Sequence, residues 1–590
     1  MKVLKIIKAN KSFLAILLVL SLLLFYPVLK LDFTLKDWMA FDQLCYPFGT
    51  GNLLLKFPLE FYFTQYGPTY VSIEILRAIF GFNVLGFHLV SLFFRATTAF
   101  FLYLLLVWWS KKRITGYIGG LLYFVSFPGI ETTIWVTHYL IYVSALLLCV
   151  VLYLWMRAMQ EPTRKNLELS VIAFAIAILV GHTRLFSLPL ILGVISVYYL
   201  LLNYNKRNKR GLRLRHLAAF VLSFLIIYFF TDNFREIPVF SMRINSPFYL
   251  LSYLVTGVYP TLYSFMLFMG NMVVPAQLVR QLTLSIGIEE ELLITFFLLS
   301  LSLSFLSLLF YLVKRRFKLI VLSFIPLGYS ISLFLSSENL TGWHPSWVGS
   351  ALLGGTMFIL IGIFGLYLWK NNRMLSEIIL VGVLISSSLL LVSWHMFPLL
   401  ESSEASPFNL ESRYYTVPMV GAAMFISAFL TPFYEQLKRV VIRRSWTWKY
   451  LWALPFFVFF TLLVFLQAIP TNFYLVEVSS RFDKNVHHKL WGALSPQLED
   501  VTDKSLMTYI YVQRDFGGVE RDYFSYYLPY RFECEFGFSK PGVGPSIIFV
   551  PDRDDFLGIL KNEELNGAVN IFAFRIDEDF RVSDVISEFE

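Results

Sequence analysis

The chain has 590 residues, of which 57% are hydrophobic, 18% aromatic and only 15% charged. Because charged residues make up roughly a quarter of a soluble globular protein, the composition of the whole chain excludes an ordinary soluble protein. The net charge of +9 does not require nucleic acid, since membrane proteins collect Lys and Arg in their cytoplasmic loops. The cysteines Cys45, Cys149 and Cys534 are too scattered for a zinc site or a disulfide framework.

Long apolar segments occupy most of the chain. Many windows of about 20 residues carry almost no charge, and a helix of that length spans a bilayer. The sequence predicts an all-α polytopic membrane protein with about 13 transmembrane helices, and it leaves open whether about 248–290 forms a hairpin or surface helices. The predicted spans have the approximate bounds 13–28, 84–109, 114–128, 132–156, 167–181, 185–202, 217–230, 292–313, 319–335, 348–369, 375–392, 415–430 and 450–469.

The distribution of positive charge predicts the orientation. Four lysines within the first 12 residues precede the first span, and no small-residue cleavage site follows it. This pattern predicts an uncleaved anchor with a cytoplasmic N-terminus. Lys and Arg are enriched in alternate loops, as the positive-inside rule expects. Thirteen spans place the C-terminus outside, and we expect a multi-pass protein of the plasma membrane.

The composition changes near residue 471. From there to the end, acidic residues outnumber basic ones, and strand-like runs at 506–512, 546–550 and 569–574 alternate with Gly and Pro. We predict a transmembrane domain over 1–470 and a small C-terminal α/β extramembrane domain over 471–590 on the outer face.

The outer loop after the first span, about 31–84, holds the first candidates for chemistry. Asp37 and Asp42 lie five residues apart just beyond the predicted membrane exit. Either carboxylate could act as a general base or bind a metal for an acceptor hydroxyl at the membrane surface. Both could equally be loop carboxylates in water.

Several short motifs follow in a set order, all on the predicted outer side. They are Asp37-Trp38, Gln65-Tyr66-Gly67-Pro68, Phe80-Gly81-Phe82-Asn83, Gly86-Phe87-His88, Pro128-Gly129-Ile130-Glu131 with Trp135, and the late Arg413-Tyr414. This order resembles the GT-C superfamily of polytopic glycosyltransferases, in particular the branch related to protein O-mannosyltransferases. Four residues depart from that family's pattern: Lys36, Ser91, Arg95 and Phe127.

The resemblance implies a GT-C fold and a lipid-phosphate-linked sugar donor, with transfer on the outer face. It makes Asp37 the best match to the family's catalytic carboxylate, with Asp42 beside it. The residues that it and the loop placement suggest for substrate binding are Trp38, Tyr66, His88, Arg95, Glu131, His138, Arg184, Arg413 and Tyr414.

The position and chemistry of individual candidate residues also suggest roles for them. Arg95 lies inside an apolar helix, where a charge usually faces a cavity or a partner, and Glu74, Glu131 or a lipid phosphate could take that role. Glu131 and His138 are seven residues apart, which predicts one shared helix face. Guanidinium groups at Arg184 and Arg413 could clamp a phosphate or simply reach the interface.

We therefore predict an integral-membrane glycosyltransferase that moves a sugar from a polyprenyl-phosphate donor to an acceptor hydroxyl. Its expected partners are that donor, membrane lipid and an acceptor of unidentified class, without nucleic acid. No cofactor is certain, and a divalent metal is possible. The alternatives are a transporter or flippase of a lipid-linked substrate, and a GT-C-like scaffold without catalytic activity.

Overall fold

The computed structural model describes a subset of the chain, to which all statements below refer. The described residues are 10–34, 37, 41, 67–185, 187–202, 214, 217–222, 225, 265–278, 345–390, 412–442, 446–481, 484–499, 501–504, 506–513, 528–536, 539–540, 544–550, 552–561, 569–577 and 579–589.

Helices dominate the described residues up to about residue 500. In chain order they are α1 Lys11–Leu24, α2 Gly67–Phe80, α3 Val84–Ser110, α4 Arg113–Val125, α5 Leu140–Gln160, α6 Arg164–Leu185, α7 Leu188–Leu202, α8 Pro345–Asn371, α9 Arg373–Ser386, α10 Pro418–Ile442, α11 Trp446–Arg481 and α12 Lys484–Leu498. Short 3-10 turns cover Tyr26–Lys30, Val136–His138 and Ser412–Tyr415, and a four-residue helix covers Glu131–Ile134.

Several of these helices have the length and apolarity of membrane spans. Within the described part of the chain, four qualify: Val84–Ser110, Val136–Gln160, Arg373–Leu390 and Phe460–Ser480. Helix α1 is shorter, and it leaves Leu18, Leu22 and Leu23 between 63% and 70% exposed. Such an exposed apolar stripe faces lipid in a membrane protein. The chain is therefore a multi-pass helical membrane protein, and the total of 13 spans stays a prediction.

Most predicted spans within the described residues agree with helices, and three differ in extent. The span predicted over 132–156 is interrupted, because its long helix α5 begins only at Leu140. The spans predicted to end at 430 and 469 continue as α10 to Ile442 and as α11 to Arg481. Hydropathy marks the edge of the bilayer, whereas these helices extend into polar sequence. The domain boundary predicted at 470 falls inside α11, and it stays a prediction. The predicted spans 292–313 and 319–335 lie outside the described residues.

The described chain divides into two compact units. The first comprises Met1–Leu24, Ser91–Thr133 and Tyr139–Phe473, and the second comprises Phe25–Val90, Ile134–His138 and Tyr474–Glu590.

The first unit contains close helix packing and a buried polar junction. A Cβ added at Gly382 of α9 would lie 2.7 Å from the carbonyl oxygen of Gly421 in α10, so only glycine permits this approach. The Glu377 carboxylate accepts hydrogen bonds from the Trp109 indole, the Tyr198 and Tyr199 hydroxyls and the Arg373 Nε. This buried carboxylate joins α3, α7 and α9, and its hydrogen bonds offset the cost of burying a charge.

The second unit contains a mixed sheet. Its strands are β1 Met507–Gln513, β4 Ile547–Val550, β5 Val569–Ile576 and β6 Val582–Asp584, with a small pair of β2 Ser539–Lys540 and β3 Gly544–Pro545. The strand order is β4-β1-β5-β6, where β1 pairs in parallel with both neighbours and β6 pairs antiparallel with β5. Helices α13 Leu528–Phe536 and α14 Arg553–Leu560 connect the parallel strands. The three strands predicted in the tail are thereby confirmed as β1, β4 and β5.

Candidate functional site

The carboxylate of Asp37 is buried and fully hydrogen bonded. Its Oδ2 accepts from the backbone N–H and the hydroxyl of Thr34, at 2.9 Å and 2.8 Å. Its Oδ1 accepts from the backbone N–H and the hydroxyl of Thr137, at 3.0 Å and 2.7 Å. The side chain has 0% exposure. Two threonines 103 residues apart in the chain therefore fix this carboxylate in one orientation.

The local sequence explains half of this arrangement. Thr34 and Asp37 form the pattern Thr-x-x-Asp, in which a carboxylate reaches back to the N–H of the residue three positions earlier. The Asp37 N–H in turn bonds the Thr34 carbonyl oxygen at 3.0 Å, and Asp37 is helical. A helix start thus sets the position of Asp37, and Thr137 completes its coordination from a distant part of the second unit.

Aromatic side chains surround the chain on both sides of Asp37. Phe33, Phe41 and Phe87 form a mutual edge-to-face cluster with ring centroids 5.0 to 5.7 Å apart. All three are essentially buried. Edge-to-face packing favours such a cluster, and two of its members, Phe33 and Phe41, lie four residues before and after Asp37 in the sequence.

Burial raises the pKa of the Asp37 carboxyl above its usual value, although the hydrogen bonds from Thr137 and Thr34 oppose that rise. Desolvation disfavours the charged carboxylate, whereas donors to its oxygens favour it. A carboxyl with a raised pKa is a stronger base once it is ionised, and such groups are concentrated at functional sites.

The shared helix face predicted for Glu131 and His138 is wrong. Glu131 begins the short helix Glu131–Ile134, and His138 ends the separate 3-10 turn Val136–His138. The chain leaves helical geometry at Trp135, whose ring lies 5.5 Å from that of His138. The same turn contains Thr137, so the break in the helix places a hydrogen-bond donor at Asp37.

His88 lies in the second unit, in the first turns of α3, directly after Phe87 of the aromatic cluster. Its side chain has 0% exposure. The structure therefore places it in the interior next to a packing residue.

Arg95 belongs to the first unit, where it is buried and bound to neutral acceptors. Its Nε and Nη2 donate to the carbonyl oxygens of Phe124 and Ser126, at 3.0 Å and 2.8 Å. Its Nη1 donates to the hydroxyls of Thr133 and Tyr142, at 2.8 Å and 2.9 Å. These carbonyls lie where α4 ends, so Arg95 satisfies the last carbonyl groups of one helix from the middle of another.

The first unit also brings Arg184 to Tyr414. Helix α6 kinks at Gly181, and beyond the kink the Arg184 guanidinium lies 4.2 Å from the centroid of the Tyr414 ring. Both side chains are half-buried. A guanidinium over an aromatic face is held there by a cation–π interaction.

Glu131 and the late motif approach each other in the same unit. The Thr132 and Thr416 hydroxyls are 2.8 Å apart, and Gly129 has φ +82° where a Cβ would lie 2.7 Å from the Thr416 Oγ1. The Glu131 charge also acts on the Tyr415 hydroxyl. Segment 126–133 thus contacts both Arg95 and Thr416, the residue that follows the turn Ser412–Tyr415.

Some predicted site residues cannot be placed. Trp38, Asp42 and Tyr66 lie outside the described residues, as does the side chain of Arg413, whose backbone forms part of the turn Ser412–Tyr415. Among the residues that are described, no cluster of three or more His, Cys, Asp or Glu could hold a metal ion. The divalent metal therefore stays a prediction.

No protein-family model and no curated protein sequence matches the chain. Among solved structures it is similar to ArnT from Cupriavidus metallidurans in the apo state, with 11% identity and a TM-score of 0.33 over 96% of this chain and 93% of that one. The structure of ArnT from the same organism bound to undecaprenyl phosphate gives 14% identity and a TM-score of 0.32 over the same shares. At these TM-scores the similarity carries no argument about the fold or the function of this chain.

Sequence reasoning missed both threonines that bind Asp37. The Thr-x-x-Asp spacing could have identified Thr34, because it is a common helix-start pattern. Nothing in the local sequence marks Thr137, whose pairing depends on tertiary structure.

Proposed function

We propose that the protein is an integral-membrane glycosyltransferase of the GT-C type, which moves a sugar from a polyprenyl-phosphate donor to an acceptor hydroxyl. The observation that carries this proposal is Asp37: a buried, oriented carboxylate with a raised pKa in the loop that follows the first apolar helix. The ordered motifs around it support the same class. The narrower assignment to the O-mannosyltransferase-related branch rests on those motifs alone.

In this mechanism Asp37 is the general base. It takes the proton of the acceptor hydroxyl as that oxygen forms a bond to the anomeric carbon. The bond from the anomeric carbon to the phosphate oxygen breaks, and its electron pair leaves with the lipid phosphate. The acceptor would take the place of one threonine hydroxyl, which can rotate away, while the backbone N–H groups of Thr34 and Thr137 keep the carboxylate oriented.

The departing phosphate needs positive charge more than it needs a proton. Arg184 is the candidate that the sequence gives for this role, since a guanidinium can bind a phosphate. Arg413 follows from the motif beside it. The Arg95 guanidinium already donates hydrogen bonds to four acceptors. We therefore propose that it stabilises the conformation of segment 126–133.

One observation favours a second candidate, a GT-C-like scaffold without catalysis. Both oxygens of Asp37 already have two donors each, and Lys36 stands beside it in the sequence. A carboxylate with these partners would have a structural role at the start of a helix and no role in catalysis.

Purified full-length protein in nanodiscs, supplied with a panel of radiolabelled polyprenyl-phosphate hexoses and hydroxyl acceptors, separates these classes. The enzyme predicts loss of at least one donor with release of polyprenyl phosphate. A scaffold predicts no loss of any donor. If the donor stays intact but crosses the bilayer of proteoliposomes, the protein is a transporter and the proposal is wrong.

A further inference from the structure

A second buried carboxylate, Asp32, lies five residues before Asp37. Its Oδ2 is 2.9 Å from the Nδ1 of His487, and its Oδ1 accepts from the Phe33 N–H at 2.9 Å. Asp32 and His487 are 3% and 2% exposed. An ionised carboxylate only accepts hydrogen bonds, so the His487 Nδ1 carries the proton that joins them.

His487 belongs to α12, which follows the last predicted span, and it is 455 residues from Asp32. Both residues lie in the second unit. The pair therefore ties the start of the outer loop to the C-terminal part of the chain within one compact body.

A third group supports the ionised form of Asp32. Burial alone raises the pKa of Asp32, but the hydrogen bond and charge of His487 and the charge of Arg531 together hold it below its usual value. Arg531 is itself buried, with its guanidinium 4.0 Å from the centroid of the Trp491 ring and its Nε bonded to Glu535 at 2.9 Å. Helix α12 thus presents a hydrogen-bonding partner to Asp32.

The segment between the two aspartates is only four residues long, and each described residue in it is fixed. Asp32 is held by His487, Phe33 by the aromatic cluster, and Thr34 by two bonds to Asp37. If Asp32 moves, Thr34 moves with it, and Asp37 loses half of its hydrogen-bond donors.

We propose that Asp32 and His487 are a positioning pair through which the C-terminal region orients the Asp37 carboxylate. This inference deepens the proposed function and rests on it for its catalytic consequence, although the structural coupling is testable without activity. The C-terminal region then contributes to the reaction site by fixing the base, in addition to any contact with acceptor.

Hydrogen exchange on the full-length protein tests the coupling. The variants are Asp32→Asn, His487→Ala, His487→Asn and the control His488→Ala, which removes the exposed neighbouring histidine of the same helix. In His487→Ala and Asp32→Asn we expect the amides of Thr34 and Asp37 to exchange about tenfold faster, as for a local opening. His487→Asn keeps a donor near the Nδ1 position and should restore most of the protection, and His488→Ala should match wild type.

The protection of β1 and β5 keeps the test decisive. Faster exchange at Thr34 with unchanged exchange in these strands supports the pair. Unchanged exchange at Thr34, or an equal rise in the loop and in both strands for His487→Ala and Asp32→Asn alike, overturns it. If the alanine variant does not fold, Asp32→Asn and His487→Asn carry the same comparison.

Turnover of a polyprenyl-phosphate hexose then separates positioning from mere structure. A positioning pair predicts that kcat falls about tenfold in His487→Ala while KM for the donor stays within about twofold, and that His487→Asn recovers kcat. Wild-type kcat in a variant with a loosened loop contradicts the proposal. If wild type turns over no donor, the proposed function fails while the exchange result still decides the coupling.

Discussion

At the scale of residues, the properties of Asp37 follow from two opposing effects. Burial raises its pKa, and four hydrogen bonds from two threonines lower it. Desolvation is the larger of the two effects, so the pKa of Asp37 stays above its usual value. The group is deprotonated, and therefore able to act as a base, only above its raised pKa.

Thr137→Val removes one of these donors and keeps the backbone N–H bond. Because the lost hydroxyl favoured the charged carboxylate, the pKa of Asp37 should rise further. The acidic limb of the pH–rate profile should move up by about 1–2 pH units, since hydrogen bonds to charges contribute about 1.5–3 kcal/mol and one pKa unit corresponds to about 1.4 kcal/mol. Thr98→Val is the control, because Thr98 is a buried threonine of α3 whose hydroxyl donates to the backbone carbonyls of Phe94 and Tyr142. A limb that stays in place or moves to lower pH would contradict this role.

At the scale of elements, breaks in helices position the site more than the helices themselves do. The chain after α4 turns at Gly129, forms one short helix and one 3-10 turn, and only then enters α5. Near the start of this irregular segment, the carbonyl of Ser126 accepts a hydrogen bond from Arg95. Near its end, the Thr137 hydroxyl donates to Asp37. The prediction that Glu131 and His138 share a helix face was wrong, because it assumed a continuous helix over these residues.

Arg95→Met should destabilise the protein strongly. It leaves the carbonyls of Phe124 and Ser126 without this donor, and an unsatisfied buried group costs about 1–3 kcal/mol. The midpoint of thermal unfolding in detergent should fall clearly. Arg164→Met is the matched control, because Arg164 forms an exposed ion pair with Glu168 and such pairs contribute little. Equal midpoints for the two variants would rule out the structural role of Arg95.

Gly129→Ala should also destabilise, by about 1–3 kcal/mol for strain at a left-handed position. The added Cβ would meet Thr416 as well. Gly193→Ala in α7, where a Cβ meets nothing within 4 Å, should be neutral or slightly stabilising because alanine favours a helix. The comparison of unfolding midpoints checks both, and a neutral Gly129→Ala would show that this turn adapts.

At the scale of the whole molecule, hydropathy predicted the helical membrane class and most helix positions within the described residues. The strands of the tail were equally readable, because β-branched and aromatic runs alternate with turn residues. The contacts that define the site could not be predicted from the sequence. Thr137 and Asp37 are 100 residues apart and His487 and Asp32 are 455 apart, so only the folded chain brings them together.

The predicted orientation can be tested on the same scale. An alkaline phosphatase fusion at the C-terminus should be active, and a green fluorescent protein fusion at the N-terminus should fluoresce, because the lysine-rich start stays in the cytoplasm. If the C-terminal phosphatase fusion is inactive and a green fluorescent protein fusion at the C-terminus fluoresces, the tail is cytoplasmic and the predicted orientation is wrong.

The central claim is that Asp37 is the base of a sugar transfer, and the rate of donor cleavage by Asp37→Asn tests it most directly. The control is Asp554→Asn, the same substitution at an exposed aspartate of α14, and unfolding midpoints establish that both variants are folded. We predict that kcat falls by about 10²–10⁴-fold in Asp37→Asn, the range for loss of a general base, and stays at the wild-type value in Asp554→Asn. Wild-type donor cleavage by folded Asp37→Asn would contradict the account.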